Sequence, residues 1–481
     1  MRAEVTLEHS VKRIEGPLMF LERNVDLGLN SFVEVLDRGG RSRVGRVAAL
    51  DDETIVLEVL ESTLGLGLKD TRIRIWNEPL LFGVGPGMHG RTFNSIGRPT
   101  DAGGPIPAVR RMRIDGLAIN PAARSLPRDF IETGVSTIDL LNSLVRGQKL
   151  PLFSGAGLPH DRLATQIALH ARLRGREQGA FAIVFVGMGV SHDTADAFRD
   201  AMASSAALEH TAMFLNLADE PATQRLLTPR YALTAAEYLA FVEGRHVLVV
   251  MTDMTNYCEA LREVSASHGE LPSRKGYPGY MYSDLASLYE RAGCIRGVAG
   301  TLTQLPILSM PGDDIGHPIA DLTGYITEGQ IVLDRELDRR GIYPPVRVLP
   351  SLSRLMNAGI GEGYTHADHP ALANQLFACY ARATRVRVLA SVMGEDSLPE
   401  VDRSFLAFGR DFEERLVKQQ DGRTLDASMA VGWELLRGLP AAELTRLKPQ
   451  QIERYLSAAT PPSAATAPPA ATPPADGAPH A

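Results

Sequence analysis

Residues 148–167, QKLPLFSGAGLPHDRLATQI, constrain this chain more than any other stretch. Leu150, Leu152 and Phe153 supply an apolar strand. Ser154, Gly155, Ala156 and Gly157 supply a loop almost without side chains. Leu163 and Ile167 begin a helical apolar face. Strand, glycine loop and helix start is the layout of a phosphate-binding loop, whose backbone N–H groups and helix N-terminus attract phosphate oxygens. On this stretch alone a plainer reading is equally good, because any strand–loop–helix can contain glycines.

What the loop lacks narrows its chemistry. A working loop of this kind ends in Gly-Lys followed by Ser or Thr, the Lys neutralising the β- and γ-phosphates and the hydroxyl holding magnesium. Here it ends Leu158-Pro159-His160-Asp161. Asp161 would set negative charge beside the phosphates, and Pro159 removes one N–H donor. The scaffold is that of a nucleotide-hydrolysing domain with the chemistry deleted. Gly155 and Gly157 stay candidate anion contacts. His160 reads first as structural and second as a contact to nucleotide. Whether the degenerate site is empty is left open, since glycine N–H groups can bind an anion but the main charge partner is gone.

A chain of 481 residues exceeds one ordinary core. Its 44% hydrophobic and 22% charged content is that of a globular protein, and a net charge of −7 argues against nucleic acid as a partner. Cys258, Cys294 and Cys379 are too far apart to form a disulfide framework or a zinc site, and no metal site is expected. A reducing cytoplasm is the simplest compartment. No apolar signal core opens the chain, and the longest apolar run, residues 180–190, contains glycines. Membrane attachment is expected only through a partner.

Four regions follow from the pattern. Residues 1–75 alternate short apolar strands with turns, as in Phe32-Val-Glu-Val-Leu36, Asp37-Arg-Gly-Gly40 and Val44-Gly-Arg-Val-Ala48, and predict a small β-barrel that serves as a collar. Residues 76–147 are rich in Gly and Pro and read as a linker wrapped on the next domain. From Lys149 strands are predicted at 150–153, 181–186, 212–217, 247–252, 304–308 and 330–333. Helical segments fall between most of them, among them 231–242 and 256–267. This makes 76–356 an α/β domain with a mostly parallel sheet, whose ligands sit beyond the strand C-termini. Asp253 ends one apolar run, where such a fold keeps a magnesium-organising carboxylate; with the Lys gone, a helix N-cap is the better reading. Residues 357–459 turn helical, with segments at 372–392 and 405–419 and a helical hairpin at 435–456 around Pro440. Residues 460–481 are almost all Ala, Pro, Thr and Ser and predict a disordered tail.

Several segments together resemble the B subunit of V/A-type rotary ATPases: GRTFNSIGRPTD from Gly90, DFIETGVSTID from Asp129, QKLPLFSGAGLPHD from Gln148, NLADEPATQRLLTPRYALTAAEYLAF from Asn216, the run that begins HVLVVMTDMTNY at His246, and the run that begins TQLPILSMPGDD at Thr303. The resemblance covers nearly the whole chain except its first residues and the tail. It implies β-barrel, nucleotide-binding α/β and helical domains. It also implies a hexameric ring in which B alternates with a catalytic A subunit around a central shaft, held by a peripheral stalk. The complex would sit at the cytoplasmic face of a membrane, with ATP or ADP and magnesium at the shared A–B interface. The missing Lys is normal for B. Two departures stand out. The family usually carries Asp or Asn where this chain has Arg347, and its DDITHP run here has Gly316, which should loosen that loop.

The resemblance moves function to the interface. In the family the Arg of Ser351-Leu-Ser-Arg354 acts as an arginine finger on the neighbouring subunit's nucleotide. Ser351 and Ser353 are implied to position it, and Thr323 and Tyr325 to line the same interface. Pro344, Pro345 and Pro350 would stiffen and aim the segment. On the residues alone, Arg354 could equally be a surface Arg in an ion pair. The basic and aromatic segment PSRKGYPGY from Pro272 reads as a packed loop rather than a nucleic-acid patch. The first functional reading is a non-catalytic regulatory subunit of a proton-translocating ATP synthase or ATPase. The alternatives are a self-sufficient hexameric motor, against which the missing Lys argues, and a scaffold built on an inactivated fold.

Overall fold

The computed structural model describes residues 5–457 except 9, 30, 76–78, 117–118 and 175–180. The expected tail at 460–481 lies outside the described residues. At the N-terminus, strands from Val5–Glu8 to Arg72–Ile75 make a seven-stranded antiparallel sheet that curls as an open half-barrel. Met19, Leu21, Val33, Val35, Val47, Ile55 and Leu57 fill it, so alternate strand residues point into one core. The hairpin Phe32–Leu36 to Ser42–Leu50 turns where the glycines predicted it. Gly40 takes φ +77°, and its N–H donates to the Asp37 carbonyl at 3.0 Å.

The central sheet carries the phosphate-loop strand, Leu152–Gly155, between Thr301–Met310 and Gly329–Leu333 and parallel to both. Outward on one side come His246–Thr252, Phe181–Val190 and Thr211–Leu217 in parallel. On the other, Val346–Ser353 returns antiparallel to Gly329–Leu333. Continuous burial of Phe185, Val186, Val249 and Val250 explains why these strands read as unbroken apolar runs.

Residues 76–147 are more than the wrapping linker expected. Thr92–Asn94 joins the sheet edge beside Thr211–Leu217, and Leu81–Val84 pairs with Arg110–Arg113. Strands of three or four residues are too short to leave a periodic trace. The helix expected at 231–242 begins earlier, at Ala222, and runs through Pro229. Its last turn, Tyr238–Val242, widens, with Glu243 N–H on the Tyr238 carbonyl. Burial of Leu227, Tyr231 and Leu233 carries the helix across that proline.

In the helical domain His369–Met393 is the long spine, and Glu400–Asp411 continues as a wide turn to Val417. The hairpin expected at 435–456 is displaced. One helix is Leu425–Leu436, capped by Thr424 accepting from Ala427 N–H at 3.1 Å, and the other is Pro449–Leu456. The domain shares its core with the α/β part, since Phe130, Leu140, Leu337 and Val348 pack with Leu372, Phe412 and Trp433. Gln419 bonds Ser136 N–H and the Gly134 carbonyl across this junction, at 2.8 and 2.7 Å.

Candidate functional site

The glycine loop is formed but closed. After strand Leu152–Gly155 the chain turns with Leu158 N–H on the Gly155 carbonyl at 3.1 Å and Gly157 at φ +77°, and the helix His160–His170 begins. The geometry is that of an anion cradle. Over it sits an ion pair of the chain's own. Arg335 donates to Asp313 through Nε at 2.7 Å and Nη2 at 2.8 Å, and Nη2 also reaches the Ala156 carbonyl at 2.9 Å. A Cβ added at Gly155 would fall 2.2 Å from Asp313 Oδ1. A carboxylate and a guanidinium therefore crowd the space above Gly155. The adjoining cavity of about 420 Å³ is lined by Gly155, Leu158, Asp313, Asp334, Arg335 and Arg347. Three carboxylates, with Glu336 the third, and the two guanidiniums set its charge, and no Lys is among them.

His160 is turned into the fold, beside its own loop. Its Nδ1 lies 3.2 Å from Ser154 Oγ, and its Nε2 lies 3.7 Å from Asp253 and 3.8 Å from Asp161. Asp253 is buried at the end of strand His246–Thr252 and caps the next helix, accepting from Thr255 N–H at 2.8 Å. It also accepts from Ser309 Oγ at 2.5 Å. Burial raises this carboxyl, against the pull of His160 and these hydrogen bonds. Its lone pairs serve the cap, as the N-cap reading expects.

Arg354 follows the last strand of the sheet directly. Its backbone N–H donates to the Glu328 carbonyl at 3.0 Å. Its side chain is exposed and makes a long bond from Nη1 to the Thr327 carbonyl, 3.4 Å. Among the described residues no carboxylate pairs with it. Ser351 is buried, donates to the Arg347 carbonyl at 2.6 Å and accepts from Val332 N–H at 3.0 Å. Ser353 is buried too and donates to the Ser143 carbonyl at 2.8 Å. Both hydroxyls hold the strand rather than face outward.

The remaining implied residues separate. Tyr325, in the last turn of helix Pro318–Ile326, is 73% exposed, two residues before Thr327. Thr323 on the same helix is fully buried and contributes packing instead of surface. The departure Arg347 is exposed and lies 3.5 Å from Asp334. Gly316, expected to loosen its loop, has both backbone groups engaged: its N–H by Asp314 at 2.9 Å and its carbonyl by Arg274 at 3.1 Å. The segment from Pro272 packs on that loop, with Tyr277 buried and bonded to Glu259.

Sequence reasoning missed Asp313, Arg335, Gln148 and Glu328. The first two lie 22 residues apart, and their segments match the family without either side chain being singled out.

This combination, a degenerate phosphate loop in a parallel sheet with a helical domain behind it, is matched by two family models. The ATP synthase alpha/beta family nucleotide-binding domain covers residues 134–353, and the C-terminal domain of V and A type ATP synthase covers 358–456. The class is therefore that of ATP synthase nucleotide-binding subunits. Among curated relatives, a V-type ATP synthase beta chain of Halothermothrix orenii is 52% identical over 92% of this chain and 96% of its own length. The B subunit of an A-type ATP synthase of Methanospirillum hungatei is 51% identical over 93% and 97%. The solved structure of an ATP synthase subunit, NeqB, from Nanoarcheaum equitans is 37% identical, covers 88% of this chain and all of its own, and has a TM-score of 0.70. The chain belongs to the B-subunit, or beta-chain, family of V/A-type ATP synthases.

Proposed function

We propose that this chain is the non-catalytic, regulatory member of an alternating ring, and that it completes the ATP site of a neighbouring catalytic A subunit with Arg354. The observation that carries the reading is a pairing of opposites. The chain's own loop lacks a Lys and lies under the Asp313–Arg335 pair, while Arg354 stands exposed and unneutralised on a strand end fixed by buried hydroxyls. A guanidinium keeps its charge at any physiological pH and forks onto phosphate oxygens. Delivered across an interface to a transferring phosphoryl group, it raises turnover by roughly a thousandfold or more. Tyr325 supports the same face by its exposure.

On this reading ATP or ADP with magnesium lies at the shared interface, and hydrolysis or synthesis belongs to the assembly. The helical domain transmits opening and closing of the interfaces to a central shaft, coupled to proton transport. A peripheral stalk holds the ring at the cytoplasmic face of the membrane, which the chain meets only through the complex. No helix among the described residues is long and apolar enough to cross a membrane. The test is turnover of reconstituted A–B complexes carrying Arg354→Ala. Assembly with turnover lowered by roughly a thousandfold is expected, and full turnover in an intact ring refutes the finger. The scaffold reading predicts that second result, and the motor reading predicts magnesium-dependent turnover by this chain alone.

A further inference from the structure

We propose that Gln148 is a positioning residue for Arg354, fixing the finger's backbone through one buried carboxamide. The proposal rests on the finger reading above. Gln148 is fully buried beside the strand that carries the glycine loop. Its Nε2 donates twice, to Ser353 Oγ at 3.0 Å and to the Glu328 carbonyl at 3.2 Å. Its Oε1 accepts from Val145 N–H at 3.0 Å. Both donors of the amide are thereby engaged by the two residues that define where Arg354 sits. Ser353 precedes Arg354 in the chain, and the Glu328 carbonyl accepts the Arg354 N–H.

The orientation of the amide is fixed by its neighbours. Ser353 Oγ gives its proton to the Ser143 carbonyl at 2.8 Å, so toward Gln148 it can only accept. The Glu328 carbonyl also can only accept. Two acceptors side by side demand an NH₂ group, and a carboxylate oxygen at this place would be repelled by both. Glu328 is secured from behind. Its carboxylate accepts from Lys149 N–H at 2.8 Å and Nζ at 3.0 Å, and its own N–H returns to the Lys149 carbonyl at 3.0 Å. The anchor of Arg354 is therefore rigid while its side chain is free to reach outward. That division suits a group which must place charge on another subunit's reacting phosphoryl, where a displacement of about 1 Å costs on the order of a hundredfold.

The experiment uses assembled A–B complexes with Gln148→Met, close in size but without hydrogen-bonding groups, and Ser353→Ala as an independent cut of the same link. Each is measured with Arg354 present and with Arg354→Ala. Turnover is expected to fall about tenfold with KM for ATP changed less than about twofold, and to fall no further in the Arg354→Ala background. Unchanged turnover in both variants overturns the proposal, as does a loss that multiplies with Arg354→Ala, since the carboxamide would then act by some other route. If Gln148→Met does not assemble, the Ser353→Ala arm decides by the same criteria. Full turnover by Arg354→Ala alone refutes the finger reading itself, a different result from either.

Discussion

Arg354 is distinguished less by its charge than by what has been withheld from it. Arg335 has Asp313 and Arg347 has Asp334 within 3.5 Å, whereas Arg354, at the far end of the same strands, has one long contact to a carbonyl. An exposed cation without a local carboxylate keeps its full attraction for a phosphate. Planarity matters as well as charge, so Arg354→Lys is expected to recover little of the turnover lost in Arg354→Ala, less than about tenfold, when both are compared in assembled complexes. Near-complete recovery by Lys would mean that a point charge suffices. At Asp253 burial and the capping bonds remove the carboxylate from service, so a residue legible as a metal organiser acts as the helix cap it also resembled.

Two glycines show how differently neighbouring elements tolerate a side chain. Gly329 opens the strand that pairs with Val346–Ser353. Its φ is +136°, and an added Cβ would lie 2.0 Å from the Leu352 carbonyl oxygen, which is backbone and cannot move aside. Gly329→Ala is expected to lower stability by about 3 kcal/mol in urea unfolding and to spoil the register of Ser353 and Arg354. At Gly155 an added Cβ meets only the tips of Asp313 and Arg335, an exposed pair that can swing away. Gly155→Ala is expected to cost less than about 1 kcal/mol by the same measurement. Reversal of that order would mean that the Asp313–Arg335 pair is held more firmly than its exposure implies.

The helical and α/β domains share a core and a buried charge. Glu413 accepts from Arg387 and Tyr380, each at 2.8 Å, and from Arg340, which belongs to the α/β side. Burial alone would raise its carboxyl; the hydrogen bonds from Arg387, Arg340 and Tyr380 outweigh it and hold it below the ordinary value of 4.5. The sign follows from the lowered folded value. The stabilisation is complete above the unfolded value and is lost as pH falls through the folded one. Glu413→Gln is expected to destabilise the chain by about 1–2 kcal/mol at neutral pH, the loss of charge-assisted hydrogen bonds from a buried carboxylate to two partly exposed arginines. That gap to wild type should close in acid, as thermal melts across pH 3–7 would record with the sign opposite to any raised carboxyl. A gap independent of pH would place the loss in packing instead.

The order of half-barrel, parallel sheet and helical domain was legible because each rests on local chemistry: alternation with glycine turns near Gly40, apolar runs such as 247–250, and a glycine loop feeding a helix. The deletion of the loop's Lys was equally plain, being a matter of residue identity at one place in the chain. The family segments supplied Arg354, which no periodicity could have selected among the chain's other arginines. What the sequence could not contain were meetings of distant residues: Asp313 and Arg335 over Gly155, Gln148 between Ser353 and Glu328, Thr323 turned inward while Tyr325 faces out. Those depend on which strands lie side by side in the sheet, and strand order is fixed by packing of the whole core, not by any one stretch of chain.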